Sequence, residues 1–191
     1  AIFNPEDLNA LELALQIKEN YGGTVTVITM GLPTACAVLR AALYRGADRA
    51  ILVTDRRAAA SDTLATSYIL SCAVKNLGKV DVVLCGRQAI DGDTAQVGPQ
   101  LAEKLGIPQV TYVEKLEELK NGLMTAKRNV GGGWERVQVK LPVLLTVMET
   151  ANEPRPAGGR RMMQYKRSRS LSEIQMKGED VAFIGGSDEH G

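Results

Sequence analysis

The residue types with chemistry to offer are concentrated in one stretch, Gly86-Arg87-Gln88-Ala89-Ile90-Asp91-Gly92-Asp93-Thr94-Ala95-Gln96-Val97-Gly98-Pro99. It follows a β-branched, apolar run at 80–85 (VDVVLC) and leads into a helix predicted from Pro99 to Gly106. Backbone N–H groups at the opening of a helix have no intrahelical acceptor, and with the helix dipole they attract anions. Thr94 adds a hydroxyl donor there and Gln96 an amide. Asp91 and Asp93 would repel a phosphate aimed at them, so they suit ribose hydroxyls, turn caps or a partner such as Arg87. The stretch is neither the dinucleotide fingerprint nor a P-loop. On these residues alone, a nucleotide site and a capped turn fit equally well.

Other chemistries find little support. His190 is the only histidine, and it is next to last, which leaves no Ser-His-Asp triad and no histidine-rich metal site. Cys36, Cys72 and Cys85 form no C-x-x-C pair and sit in apolar stretches, so we expect them reduced and buried, in a cytoplasmic protein. No side chain stands out as a catalytic acid, base or nucleophile. Asn4 reads as a helix cap, with a base or sugar contact as the alternative. Ser61-Asp62-Thr63 reads as a cap, and Trp134 as hairpin packing.

The elements that must position the stretch alternate up to residue 108. Asn4-Pro5-Glu6-Asp7 reads as a helix start with acids in the first turn, and Leu8, Leu11 and Leu15 recur at helical spacing to about Glu19. A strand at 24–29, a helix at 34–44 stopped by Gly46, a strand at 50–53, a helix from 61–63 to about Leu77 and the strand at 80–85 follow. That rhythm predicts right-handed crossovers and a parallel sheet with helices on both faces. Ligands of such sheets sit beyond the carboxyl ends of the strands, where the connections at 30–33, 54–60 and 86–98 fall. The sheet would be completed by a strand ahead of the first helix, which we expect upstream of Ala1.

After Pro108 the pattern changes. Runs at 110–113 and 123–130 flank a Lys120-Asn121-Gly122 turn, a strong hairpin signal, and a strand at 134–140 follows Gly131-Gly132-Gly133. This predicts an antiparallel appendage, with a buried strand returning at 143–148. From Glu149 on, Pro, Gly and Arg dominate, and residues 149–170 read as an extended arm followed by a short helix and tail, suited to packing on a partner. The expected division is an α/β nucleotide-binding domain at 1–148 and the arm and tail at 149–191. Six of the 23 basic residues lie between Arg155 and Ser170 with no acid among them, so the rest of the chain, holding the 22 acids, is net acidic. An acidic body and few aromatics argue against nucleic acid. Among 191 residues no apolar run reaches the ~20 needed to span a bilayer, so no membrane insertion is expected.

The 86–99 stretch closely resembles the signature of the beta subunit of electron transfer flavoproteins, including the Fix-type and bifurcating members. Asn4-Pro5, Leu8-Asn9-Ala10-Leu11-Glu12, Gly46-Ala47-Asp48-Arg49 and Asn152-Glu153-Pro154-Arg155 fall in that family's order. The resemblance extends to about residue 170. It implies a Rossmann-like, adenine-nucleotide-binding fold paired with an alpha subunit that carries the redox-active FAD. It also implies a second nucleotide on the beta subunit, AMP in many members and a second FAD in bifurcating ones, with electron-donor and acceptor oxidoreductases as further partners. Carried over by position, the contacts are Asn4, Pro5, Glu6, Asp7, Met30, Gly86, Gln88, Asp91, Gly92, Asp93, Thr94, Ala95, Gln96 and Val97, with phosphate on the amides around Thr94 to Val97. AMP-type members tend to have Asn and Thr where this chain has Ala95 and Val97, which leaves room for a diphosphate and favours FAD. Glu6 stands where many relatives carry an aromatic ring. Gly159, Gln164 and Arg167 depart from the arm that docks acyl-CoA dehydrogenases, which points to another acceptor such as a membrane quinone oxidoreductase. A non-redox adenine-nucleotide-binding regulator and an ATP-consuming ligase or pyrophosphatase are the rival readings; the last needs a glycine-rich phosphate loop at the first strand.

Overall fold

A computed structural model describes residues 2–54, 62–88 and 95–166. The helix α1 (Pro5–Tyr21) starts with Pro5 in its first turn, where a missing N–H costs nothing, and stops at Gly22 (φ 81°). Then come β1 (Thr26–Met30), a 3-10 turn at Pro33–Ala35, α2 (Cys36–Arg45), β2 (Arg49–Val53), α3 (Thr63–Asn76) and β3 (Val82–Gly86). The chain continues through α4 (Val97–Leu105), β4 (Gln109–Lys120), β5 (Leu123–Asn129), β6 (Trp134–Lys140), β7 (Val143–Val147) and α5 (Gly159–Tyr165). No helix among the described residues is long and apolar enough to cross a membrane.

The fold is mixed α/β, and the described residues divide into two compact units, one drawn from residues 2, 24–54, 62–66 and 155–166, the other from 3–23, 67–88 and 95–154. In the first, β1 and β2 pair in parallel from Thr26↔Arg49 to Met30↔Val53. Leu39 of α2 packs with Leu52, Val27 and Ala50 of that ladder. Within the stretch expected to be an extended arm, α5 docks on the end of α2. Gly158 N–H donates to the Tyr44 carbonyl at 2.9 Å, and Arg161 Nη1 donates to the carbonyls of Leu43 (2.9 Å) and Ala47 (3.0 Å). Carbonyls left over at a helix C-terminus attract a cation, which gives this basic segment a reason to order on its own chain.

The second unit holds five strands in the order β3-β7-β4-β5-β6. The β3–β7 and β4–β7 pairs are parallel and the β4–β5 and β5–β6 pairs antiparallel, so one mixed sheet stands where a parallel sheet with a separate antiparallel appendage was expected. The hairpin is no appendage. Gln109, Val110 and Val113 of β4 pair with β7, while Val113 to Lys120 pair with β5 on the other side, and one strand carries the sheet from parallel to antiparallel. The central β7 is buried along its whole length, and its side chains alternate between two cores. Val143, Leu145 and Val147 join Ala10 and Leu13 of α1 on one face, while Leu144 meets Leu101 and Ala102 of α4 and Leu70 of α3 on the other. Helices thus cover both faces of the parallel end, and they bring the start of α1 and the start of α4 to the carboxyl ends of β3 and β7.

Candidate functional site

The first turn of α1 presents its side chains to the chain leaving β3. Asp7 Oδ1 accepts the Gly86 N–H at 2.7 Å, and Glu6 Oε2 accepts the Gln88 N–H at 3.0 Å. Between them the Arg87 N–H donates to the Val147 carbonyl at 3.2 Å. Asn4 Nδ2 donates to the Gln88 carbonyl at 2.9 Å and to Asp7 Oδ2 at 3.1 Å. Glu6 is only 7% exposed, and its Oε1 lies 3.2 Å from Arg87 Nη2. An unpartnered carboxylate in such a place would cost several kcal/mol, so the two donors are what make its burial tolerable. The close approach requires Gly86: a Cβ there would lie 2.8 Å from Asp7 Oδ1 and Glu6 Cβ and 2.9 Å from the Asp7 nitrogen. Three consecutive amides, Gly86 to Gln88, are therefore already satisfied within the chain.

The start of α4 is built differently. Its N-cap, Gln96, makes no side-chain capping hydrogen bond, and Pro99 has no N–H to give, so Val97 and Gly98 supply the first-turn amides. Ala95 just before it has φ 51°, a left-handed conformation in which Asn or Gly is more at ease. Gly98 is seated against β7 and β3, where a Cβ would meet Thr146 Cγ2 at 2.8 Å and Cys85 Sγ at 3.1 Å. Burial, and secondarily the charge of Asp7, pushes the Cys85 thiol up to about 12, which makes it an inert packing group.

The structure changes several expectations. Asn4 occupies the N-cap position of α1 but makes no side-chain cap; its amide reaches residue 88 instead. The helix after the loop starts at Val97, two residues before Pro99, which brings Val97 and Gly98 into its first turn. Met30 ends β1 in the other unit, and Asp91, Gly92, Asp93 and Thr94 lie outside the described residues, as does Ser61. Asp62 caps α3, accepting the Ala65 N–H at 2.8 Å. The cysteines are free, but each is half-buried instead of buried. Trp134 is 53% exposed with Lys127 Nζ 4.8 Å above its ring, so it is a platform for a cation more than hairpin packing.

Sequence reasoning missed two partnerships. Arg87 is the ion-pair partner of Glu6, and its Nε is buried with no acceptor among the described residues. Asn9 and Asn152 clasp each other, Asn9 Nδ2 donating to the Asn152 carbonyl at 2.8 Å and Asn152 Nδ2 returning to the Asn9 carbonyl at 3.0 Å. The signal for the second pair was a lone Asn beside the apolar residues of α1. The donor set as a whole (uncapped amides at α4, an orphaned guanidinium Nε, a small residue at 95) suits the negatively charged end of a nucleotide.

Comparison with known proteins shows the family. Residues 1–169 match the family described as "Electron transfer flavoprotein domain". The electron transfer flavoprotein subunit beta of Clostridium acetobutylicum is 55% identical over 155 residues, covering 81% of this chain and 59% of that protein. The FixA protein of Azorhizobium caulinodans is 50% identical over 160 residues (81% and 57%). The caffeyl-CoA reductase-Etf complex subunit CarD of Acetobacterium woodii is 51% identical over 158 residues (81% and 59%). The chain belongs to the electron transfer flavoprotein family, among its beta subunits. It spans a little under three fifths of the length of these relatives.

Proposed function

We propose that this chain is the nucleotide-holding beta subunit of a heterodimeric electron transfer flavoprotein, and that its own nucleotide is a second FAD. In this reading residues 1–148 form a Rossmann-like nucleotide-binding domain. The residues that hold the nucleotide are Asn4 to Asp7, Met30 and Gly86 to Val97, and the segment after residue 148 packs on the alpha subunit, whose FAD the chain helps to enclose. The observation that carries it is the start of α4: its N-cap residue, Gln96, makes no side-chain cap, and the preceding Ala95, a small residue, is left-handed. Backbone donors of this kind accept a diphosphate without supplying charge of their own. With the root amides of Gly86 to Gln88 already taken, the negative end belongs at the α4 side.

When bound, a second flavin supplies the redox chemistry, taking two electrons from NADH or a dehydrogenase and dividing them between acceptors. The chain's own residues bind, orient and exclude water. Relatives named as subunits of electron transfer flavoproteins and of a reductase complex support the alpha-subunit partner, and the same reading places the heterodimer in the cytoplasm. A second reading, AMP as a structural ligand of a simple carrier, rests on the same amides. Co-purification with the alpha partner and quantitation of bound nucleotide separates them. Two flavins per heterodimer are expected, with bleaching by NADH. One FAD with one AMP establishes the simple carrier, and a colourless monomer removes the electron-carrier reading.

A further inference from the structure

Two asparagines that the candidate site does not use are bonded to each other across a long stretch of sequence. Asn9 is 4% exposed, beside Ala10 and one turn before Leu13, which pack with Val143, Leu145 and Val147 of β7. Its Nδ2 donates to the Asn152 carbonyl at 2.8 Å, to Asn152 Oδ1 at 3.1 Å and to the Glu149 carbonyl at 3.3 Å. Asn152 Nδ2 donates in return to the Asn9 carbonyl at 3.0 Å. Asn152 thus turns its backbone oxygen and both side-chain polar atoms toward one residue of α1. A buried amide is costly unless its donors are matched, and here an Nδ2 with two hydrogens meets three oxygen acceptors.

The clasp stands where the sheet ends. Met148 N–H still donates to the Val113 carbonyl at 3.1 Å, Glu149–Ala151 make one 3-10 turn, and Asn152 is fully extended (φ −167°, ψ 172°). Residues 152–158 form neither helix nor strand. The strands β3, β7 and β4 are held by their own pairing and α1 by its apolar side. The turn at 149–151 is joined to α1 through the Asn9 bonds and through Ala151, which packs on the same core. We propose that Asn9 and Asn152 form a latch: closed, it fixes the point at which the chain leaves the sheet; open, it frees residues 149–158 while α1 and the β3–β7–β4 ladder stay folded. The proposal goes beyond the reading above and does not depend on which nucleotide is bound.

The test is hydrogen–deuterium exchange of the full chain at increasing urea below the unfolding transition, read peptide by peptide. In the wild type, residues 149–158 should open with little dependence on urea, whereas exchange in β7 should steepen with it, because a local opening exposes far less surface than global unfolding. Asn9→Ala takes the donor from the Asn152 and Glu149 carbonyls without weakening α1, since alanine favours a helix, and should speed exchange in 149–158 roughly tenfold. Asn152→Ala leaves Asn9 both backbone carbonyls and should speed it a few-fold; lying outside every helix and strand, it also covers the case in which Asn9→Ala does not fold. In the double variant the acceleration should be smaller than the product of the two single effects, because both side chains belong to one set of bonds. Unchanged exchange in 149–158 of a folded variant overturns the proposal. So do single effects that multiply, and so does a wild-type segment whose opening depends on urea as steeply as that of β7, since it would then open only when the sheet unfolds.

Discussion

The two ends of the β3–α4 connection satisfy their backbone donors by opposite means. At the β3 end the protein brings side-chain acceptors to the amides: Asp7 to Gly86 and Glu6 to Gln88, with the Val147 carbonyl taking Arg87. At the α4 end the N-cap residue, Gln96, makes no side-chain cap, and a residue with only a methyl group adopts a left-handed conformation beside it. A buried donor must find an acceptor from somewhere. The first end finds it within the chain; in the proposed reading the second takes one from a bound nucleotide. On that reading, carboxylates at one end and first-turn amides at the other favour an anionic group on the α4 side.

Adding a methyl group at each end breaks this contrast most forcefully. Gly86→Ala places a Cβ against the Asp7 backbone nitrogen as well as side-chain atoms, so α1 itself must move. We expect a loss of about 2–3 kcal/mol in chemical denaturation, the upper part of the range for overpacking. Gly98→Ala meets only side-chain atoms, Thr146 Cγ2 and Cys85 Sγ. Thr146 is not free to turn, since its Oγ1 accepts the Tyr112 N–H at 3.0 Å, and a cost of about 1–2 kcal/mol follows. Equal losses at the two positions would contradict the distinction between a backbone and a side-chain neighbour.

Cys85 lies between the two ends and reports on both. Its thiol is raised from 9.0 to about 12 in the folded chain, so between those values the unfolded state releases a proton that the folded state keeps. Stability therefore falls as pH rises above about 9, by roughly 1 kcal/mol near pH 10, and the contribution is intact below that. Cys85→Ala should flatten this part of the pH profile. In native alkylation followed by mass spectrometry, Cys85 should label last of the three cysteines. Prompt labelling of Cys85 at neutral pH would mean that the seat of Gly98 is open.

Much of this fold was legible along the chain, because helix and strand signals are local. Pro5 marked the start of α1, Gly22 its end, and Asn121-Gly122 the β4–β5 turn. The strand β4 was read short, at 110–113, because its continuation through Glu117, Glu118 and Lys120 looks like a charged loop; in the sheet, Glu118 and Lys120 are exposed and Glu117 pairs with Arg136 of β6. The mixed sheet escaped notice for the same reason, since the switch from parallel to antiparallel depends on one strand having two different neighbours. At the site, the loop motif pointed to the right stretch, but the roles of Asn4, Glu6 and Asp7 did not show. First-turn acids complement a helix dipole in any sequence, and nothing local shows that their partners lie some 80 residues away.

The mildest change sharpens the contrast at its open end. Ala95 holds φ 51° at a cost of about 1 kcal/mol relative to a residue suited to that region. Ala95→Asn should recover about 0.5–1 kcal/mol in the nucleotide-free complex, visible as a small rise in denaturation midpoint, because Asn tolerates the left-handed region. The same substitution puts an amide side chain where the proposed diphosphate needs space, so affinity for FAD should fall while affinity for AMP holds or improves. Stability and ligand preference would then move in opposite directions at a single position, as they should if Ala95 is kept for space at the expense of backbone comfort. A variant that gains stability and binds FAD as tightly as before would show that the methyl group of Ala95 has no part in choosing the nucleotide.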